Sequence, residues 1–176
     1  MTADPALLLD QPFGSFPSLI AAWGEYRGDA PALYDGVVNL SWRETAERVE
    51  RIAARLQADG LQRGQAVAIL GTTTVNYALI YLAAIRAGGC AAPQTTSASP
   101  QQLAGMAKDS GAIPRFIDRA KLTERGGFTL PVANQIVLDE ELEQFMAPEG
   151  TKAAPFEPDD SDPLNIIYSS GTTGIP

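Results

Sequence analysis

An α/β fold with a mainly parallel sheet and helices on both faces is what this sequence predicts, and three observations carry that expectation. QAVAIL at 65–70 is a short continuous apolar run, the pattern of a parallel strand buried on both sides. Other short apolar runs follow it, each separated from the next by a stretch of helical character. Two serine-led capping boxes, Ser41 with Glu44 and Ser99 with Gln102, mark helix starts at separate points. Strands alternating with helices assemble as βαβ units.

In chain order, residues 1–30 read as an irregular arm with a short helix near Leu19 to Tyr26. ALYDGVVNLSW at 32–42 sets Asp35-Gly36 between apolar stretches, a hairpin signal because both residues tolerate positive φ. The Ser41 box then opens a helix that places Trp42, Ala46, Val49, Ile52, Ala53 and Leu56 on one face. Glu44 to Arg48 and Glu47 to Arg51 are i,i+4 pairs expected on its wet side, and Gly60 ends it. After QAVAIL, Thr72 to Thr74 offer caps for a helix through YALIYLAAIRAGG, apolar almost all round and so expected in the core.

Cys90-Ala91-Ala92 is a short strand before Pro93, and Ser99-Pro100 opens the next helix, which Ser110-Gly111 closes. IPRFID at 113–118 and NQIVLD at 134–139 are further strands with a weak helix between them. Segment 139–162 holds nine carboxylates against Lys152 and therefore carries the whole formal charge of −8. With prolines at 148, 155, 158 and 163 it reads as a surface connection. The expected organisation is an α/β subdomain at 1–138, that acidic connection at 139–162, and a strand with the start of a loop at 163–176.

Several chemistries are excluded. The chain has no histidine and one cysteine, Cys90, which removes Ser-His-Asp and Cys-His nucleophile systems and Cys/His zinc sites. A single cysteine also implies a reducing, cytoplasmic compartment. No basic face is present for a nucleic acid, and no apolar run approaches the roughly 20 residues of a membrane span.

The chemistry lies at the end of the chain. SSGTTG follows the apolar LNIIY and packs four hydroxyls and two glycines into six residues. Glycines let a ligand approach main-chain amides, and successive amides with hydroxyls form a nest for anionic oxygens. No lysine follows the glycines in a P-loop pattern, and the bare six residues also fit a ligand-free turn.

The longer string Tyr168-Ser169-Ser170-Gly171-Thr172-Thr173-Gly174-Ile175-Pro176 resembles the signature of the adenylate-forming superfamily, which includes acyl-CoA synthetases, 4-coumarate–CoA ligases, luciferases and peptide-synthetase adenylation domains. ALYDGVVNLSWRETAERVERIAARLQADGLQRGQAVAIL, YALIYLAAIRAGG and SPQQLAGMAKDSGA extend that resemblance upstream. It implies that a carboxylate attacks the α-phosphorus of ATP and that a thiol, usually of coenzyme A, then takes the acyl group, with Mg2+ neutralising the phosphates. Carried over by position, Ser169, Ser170, Gly171, Thr172, Thr173 and Gly174 would line the nucleotide phosphates.

The superfamily's loop continues into Lys-Gly, so the resemblance implies an amino-terminal fragment of an acyl- or aryl-CoA ligase. Such a fragment would lack the main acyl pocket and the carboxy-terminal lid lysine. It would hold no catalytic residue and no metal ligand, be inactive alone, and be prone to self-association through exposed apolar surface. Fatty and aromatic acids both remain open as substrates. A non-catalytic scaffold module and a peptide-synthetase adenylation domain are the alternatives. Two departures stand out: Gly71 to Asn76 where the superfamily often has Pro-Asn, and Gln94 to Ser97 where it often has Asn-Pro.

Overall fold

The computed structural model describes residues 4–10, 14–113, 115–124 and 135–168. A 3₁₀ turn at Pro5–Asp10 leads into helix α1, Phe16–Tyr26. This helix begins three residues before the expected start because Ser15 accepts the Ser18 amide as its cap and Pro17 suits the first turn. Strands β1, Pro31–Tyr34, and β2, Asn39–Ser41, form the expected antiparallel hairpin. At its tip Gly36 has a φ of 95°, and Asp35 Oδ1 accepts the amides of Val37 and Val38. Asp35 has a second role: its Oδ2 accepts the Val75 amide at 2.9 Å, tying the hairpin to the helix that starts there.

Helix α2, Trp42–Ala58, carries the complete Ser41/Glu44 capping box. Strand β3, Ala66–Leu70, is buried at every position. Helix α3, Val75–Arg86, is capped by Thr74, and strand β4, Cys90–Gln94, follows. Helix α4, Pro100–Ser110, has the Ser99/Gln102 box at one end and left-handed Gly111 at the other. Then come β5, Arg115–Ile117, helix α5, Arg119–Glu124, β6, Gln135–Val137, and the short helix α6, Leu142–Phe145.

The sheet order is β4-β3-β5-β6, with every pairing parallel. Helices cover both faces, as expected. On one face Val49, Ile52 and Leu56 of α2 and Leu79, Ile80 and Ala83 of α3 pack against Val67, Ile69, Ala91 and Phe116. On the other face Leu103 and Met106 of α4 pack on Leu70 and Ile117.

Segment 139–162 is more than a surface connection, because it returns Leu142, Phe145, Met146 and Ala153 to the first core. The arginines of α2 clamp it there. Arg51 is only 8% exposed; its Nε donates to the Ala147 carbonyl at 2.8 Å and its Nη2 reaches Glu143 at 3.4 Å. Arg48 reaches the same carboxylate, and Arg55 lies over the Phe145 ring. The helix face expected to meet water, at Arg48 and Arg51, is therefore where the acid-rich segment docks. Arg119 pairs with Glu140, and Arg63 pairs with Asp162 at 2.7 Å.

These contacts set a pH dependence. The Arg119 and Arg63 guanidinium groups hold Glu140 and Asp162 below the usual carboxylate range, and turn amides do the same for Asp35. A depressed carboxylate contributes stability that is complete above its unfolded pKa and is lost as pH falls through its folded pKa. Thermal midpoints should therefore be level down to about pH 5 and fall progressively below about pH 4. A midpoint that rises on acidification would contradict these pairings.

Candidate functional site

Residues 164–168 bring the chain to the outer edge of β4, where the expected apolar strand LNIIY is reduced to a single parallel bridge, Asn165 to Ala91. The Ala91 amide donates to the Leu164 carbonyl at 3.2 Å, and the Ile166 amide donates to the Ala91 carbonyl at 2.8 Å. The next rung of a parallel ladder would need the Pro93 N–H to reach the Ile166 carbonyl, and proline has none. Pro93 thus limits the pairing and is tolerated because its nitrogen faces the sheet edge.

Past that bridge the chain is held by side chains. Ile166 packs on Ala66, Ala68 and Ala92, and Tyr168 packs with Leu70, Ala98, Leu103 and Met106. The Tyr168 hydroxyl lies 3.0 Å from the Met106 carbonyl and 2.8 Å from Asp109 Oδ2, so its single proton is shared between two acceptors on α4. Partial burial, and then the bond to Asp109, push its pKa up. Tyr168 therefore anchors the last described residue against α4 at the carboxyl end of the sheet. Ser169, Ser170, Gly171, Thr172, Thr173 and Gly174 lie outside the described residues.

Carboxyl ends of parallel strands gather ligands where the strand order reverses, and here the chain passes from β4 back across β3 to β5. Three groups occupy that end. Asp118, 5% exposed, accepts the Thr72 and Lys121 amides at 2.6 Å each and thereby joins the loop after β3 to α5. A Cβ on Gly71 would lie 3.1 Å from Asp118 Oδ2, so the departure at Gly71 accommodates this carboxylate. After β4, Thr95 and Ser97 form a hydroxyl-bonded turn with a 3.0 Å contact between their oxygens.

The third group is Gln94, 5% exposed, whose Nε2 has no hydrogen-bond partner among the described residues. Sequence reasoning placed Gln94 only as a departure from the superfamily pattern and found neither Asp118 nor the Tyr168 anchor. The acid-residue spacing around Asp118 offers no signal, since its partners are amides 46 and 3 residues away. Among the described residues no group of three histidine, cysteine, aspartate or glutamate side chains could hold a metal ion, and no helix is long and apolar enough to cross a membrane.

Comparison with known proteins agrees with this architecture. The N-terminal domain of FACL13 from Mycobacterium tuberculosis superposes with a TM-score of 0.77 at 18% identity, covering 90% of this chain and 42% of that one. The N-terminal subdomain of Klebsiella oxytoca NpsA, in complex with 3-hydroxybenzoyl-AMSN, gives 0.72 at 19% identity, covering 91% of this chain and 38% of that one. Among curated proteins, surfactin synthase subunit 3 of Bacillus subtilis (strain 168) is 30% identical over 148 residues, 84% of this chain and 11% of that protein. A dimodular nonribosomal peptide synthase of the same organism is 31% identical over 173 residues, 94% of this chain and 7% of that protein. The chain thus spans about a tenth or less of these relatives. The model of the AMP-binding enzyme family matches residues 20–176, and the chain belongs to that family.

Proposed function

We propose that this chain forms the phosphate-binding part of a domain that activates a carboxylic acid with ATP, with Ser169, Ser170, Gly171, Thr172, Thr173 and Gly174 as donors to the nucleotide phosphates. The observation that supports the reading is that Tyr168, the residue before this hydroxyl- and glycine-rich stretch in the sequence, is anchored at the carboxyl end of a parallel sheet. The donor set suits the ligand, because hydroxyls and main-chain amides complement phosphate oxygens.

In the proposed reaction a carboxylate oxygen forms a bond to the α-phosphorus while the bond to the β-phosphate bridging oxygen breaks. The electron pair leaves with pyrophosphate and yields the acyl-adenylate. Mg2+ supplies charge neutralisation on the phosphates when bound. A thiolate then attacks the acyl carbon and AMP departs. The peptide synthetases among the curated relatives favour a carrier-bound thiol as acceptor. The fold shared with an O-succinylbenzoate coenzyme A synthetase keeps coenzyme A as the second reading. A cytoplasmic site of action fits the buried, unpaired Cys90 thiol. Leu164 and Ile167, 41% and 75% exposed, are the apolar surface through which the chain alone would self-associate.

Acid-dependent pyrophosphate release tests the proposal, using the complete gene product against amino, aromatic and fatty acids. Release with at least one acid is expected, and the 176-residue chain alone should be silent. No acid-dependent release with any of the three classes would refute the function, and adenylate formed by the chain alone would refute the division of labour.

A further inference from the structure

We propose that Asp109 is a positioning residue for the adenylation reaction: from the last turn of α4 its carboxylate holds the Tyr168 hydroxyl and so fixes where the chain leaves the sheet. The inference rests on the phosphate-binding reading above. Main-chain bonding gives out before Tyr168. Among the described residues the Ile166 amide, which donates to the Ala91 carbonyl, makes the last main-chain hydrogen bond, and Ile167 is 75% exposed. Tyr168 is therefore the last hold on the chain. Its ring packs with Leu103 and Met106, and its hydroxyl donates toward Asp109 Oδ2 at 2.8 Å and the Met106 carbonyl at 3.0 Å.

Asp109 stands at the unfavourable end of its helix for a carboxylate. α4 ends at Ser110, and the free carbonyls of a last helical turn already gather partial negative charge. Aspartate is also a weaker helix former than alanine. Asp109 thus works against α4, and its hydrogen-bond partner among the described residues is Tyr168. A side chain that breaks a local rule while making one directed contact points to that contact as its role. The base from which it acts is firm. The Ser99/Gln102 box closes the start of α4, and Leu103 and Met106 are buried beneath it. Met106 and Asp109 lie one turn apart on the helix, so their oxygens meet the same phenol. Partial burial, and then the bond to Asp109, keep that phenol protonated and hence a donor.

In the complete gene product, Asp109→Ala should lower kcat for acid-dependent pyrophosphate release about tenfold, the worth of one hydrogen bond to a charged group. The thermal midpoint should stay within about 2 °C of wild type, because the helix end loses an unfavourable charge along with the bond. Asp109→Asn keeps an oxygen acceptor and should restore most of the rate. Tyr168→Phe should be at least as slow as Asp109→Ala, and adding Asp109→Ala to it should cost nothing further, since both act through one contact. A rate within about twofold of wild type in Asp109→Ala, or an additive double variant, would overturn the role of Asp109. Hydrogen exchange of the Ile167 and Tyr168 amides in the 176-residue chain separates this role from the phosphate-binding reading. Exchange that quickens in Asp109→Ala and stays near wild type in Asp109→Asn supports the hold, and a complete protein that releases no pyrophosphate would then refute the reading alone. Unchanged exchange in Asp109→Ala would overturn the hold itself.

Discussion

Glu50→Ala should lower the stability of this chain by about 3 kcal/mol, the cost of stranding one member of a buried ion pair. Glu50 lies on α2 and Arg86 at the end of α3, with side chains 14% and 17% exposed. Their contact is two-pronged: Arg86 Nε to Glu50 Oε1 at 2.7 Å and Nη2 to Oε2 at 3.1 Å. The pair also holds the acid-rich segment, because Arg86 donates to the Ala153 and Ala154 carbonyls and Glu50 accepts the Ala153 amide at 2.9 Å. One deletion thus loosens α2, α3 and residues 153–154 together and leaves a guanidinium charge under-compensated. For a chain of this size the thermal midpoint should drop by roughly 6–12 °C. The double variant Glu50→Leu/Arg86→Met should recover much of that loss, since an apolar pair strands no charge. A deficit below about 1 kcal/mol in Glu50→Ala would class the pair with exposed salt bridges and remove it as a staple of the fold.

The legible parts of this fold are those decided by near neighbours. Both capping boxes act over three residues, Asp35-Gly36 turns the hairpin on itself, and the β3 run is buried along its length because helices cover both faces. What escaped the sequence depends on partners far along the chain. Asp35 caps a helix 40 residues on, and the buried side chains of the acid-rich segment are scattered among so many carboxylates that charge masks them. Arg51 looked like one half of a surface pair with Glu47, yet its stronger partners are Ala147 and Glu143, more than 90 residues away. Pro93 looked like a strand terminator and instead lies within β4, because its missing N–H faces the lightly paired edge. For the candidate site, the hydroxyl-rich stretch was singled out from its composition and from the longer string it sits in, and it lies outside the described residues. The burial of Gln94 and the Tyr168 anchor were not legible, because burial is set only in the folded chain and α4 meets Tyr168 only there.

In the complete gene product, Thr172→Ala should reduce the rate of acid-dependent pyrophosphate release by about a hundredfold or more, the usual cost of one preorganised donor aimed at developing charge. Negative charge grows on the departing pyrophosphate as the carboxylate takes the α-phosphorus, so a hydroxyl donor there acts more strongly in the transition state than in the ground state. In the proposed site Gly171 and Gly174, which flank the two threonines in the sequence, would let main-chain amides approach the phosphates, and Thr172 would add a side-chain donor that alanine cannot replace. The loss should therefore appear in kcat with KM unchanged, the mark of an interaction made only in the transition state. Thr172→Ser keeps the hydroxyl and should restore most of the rate. A serine variant as slow as the alanine variant would trace the effect to packing of the threonine methyl. A rate within about twofold of wild type for Thr172→Ala falls far short of what a lost donor costs and would remove Thr172 from the phosphate site.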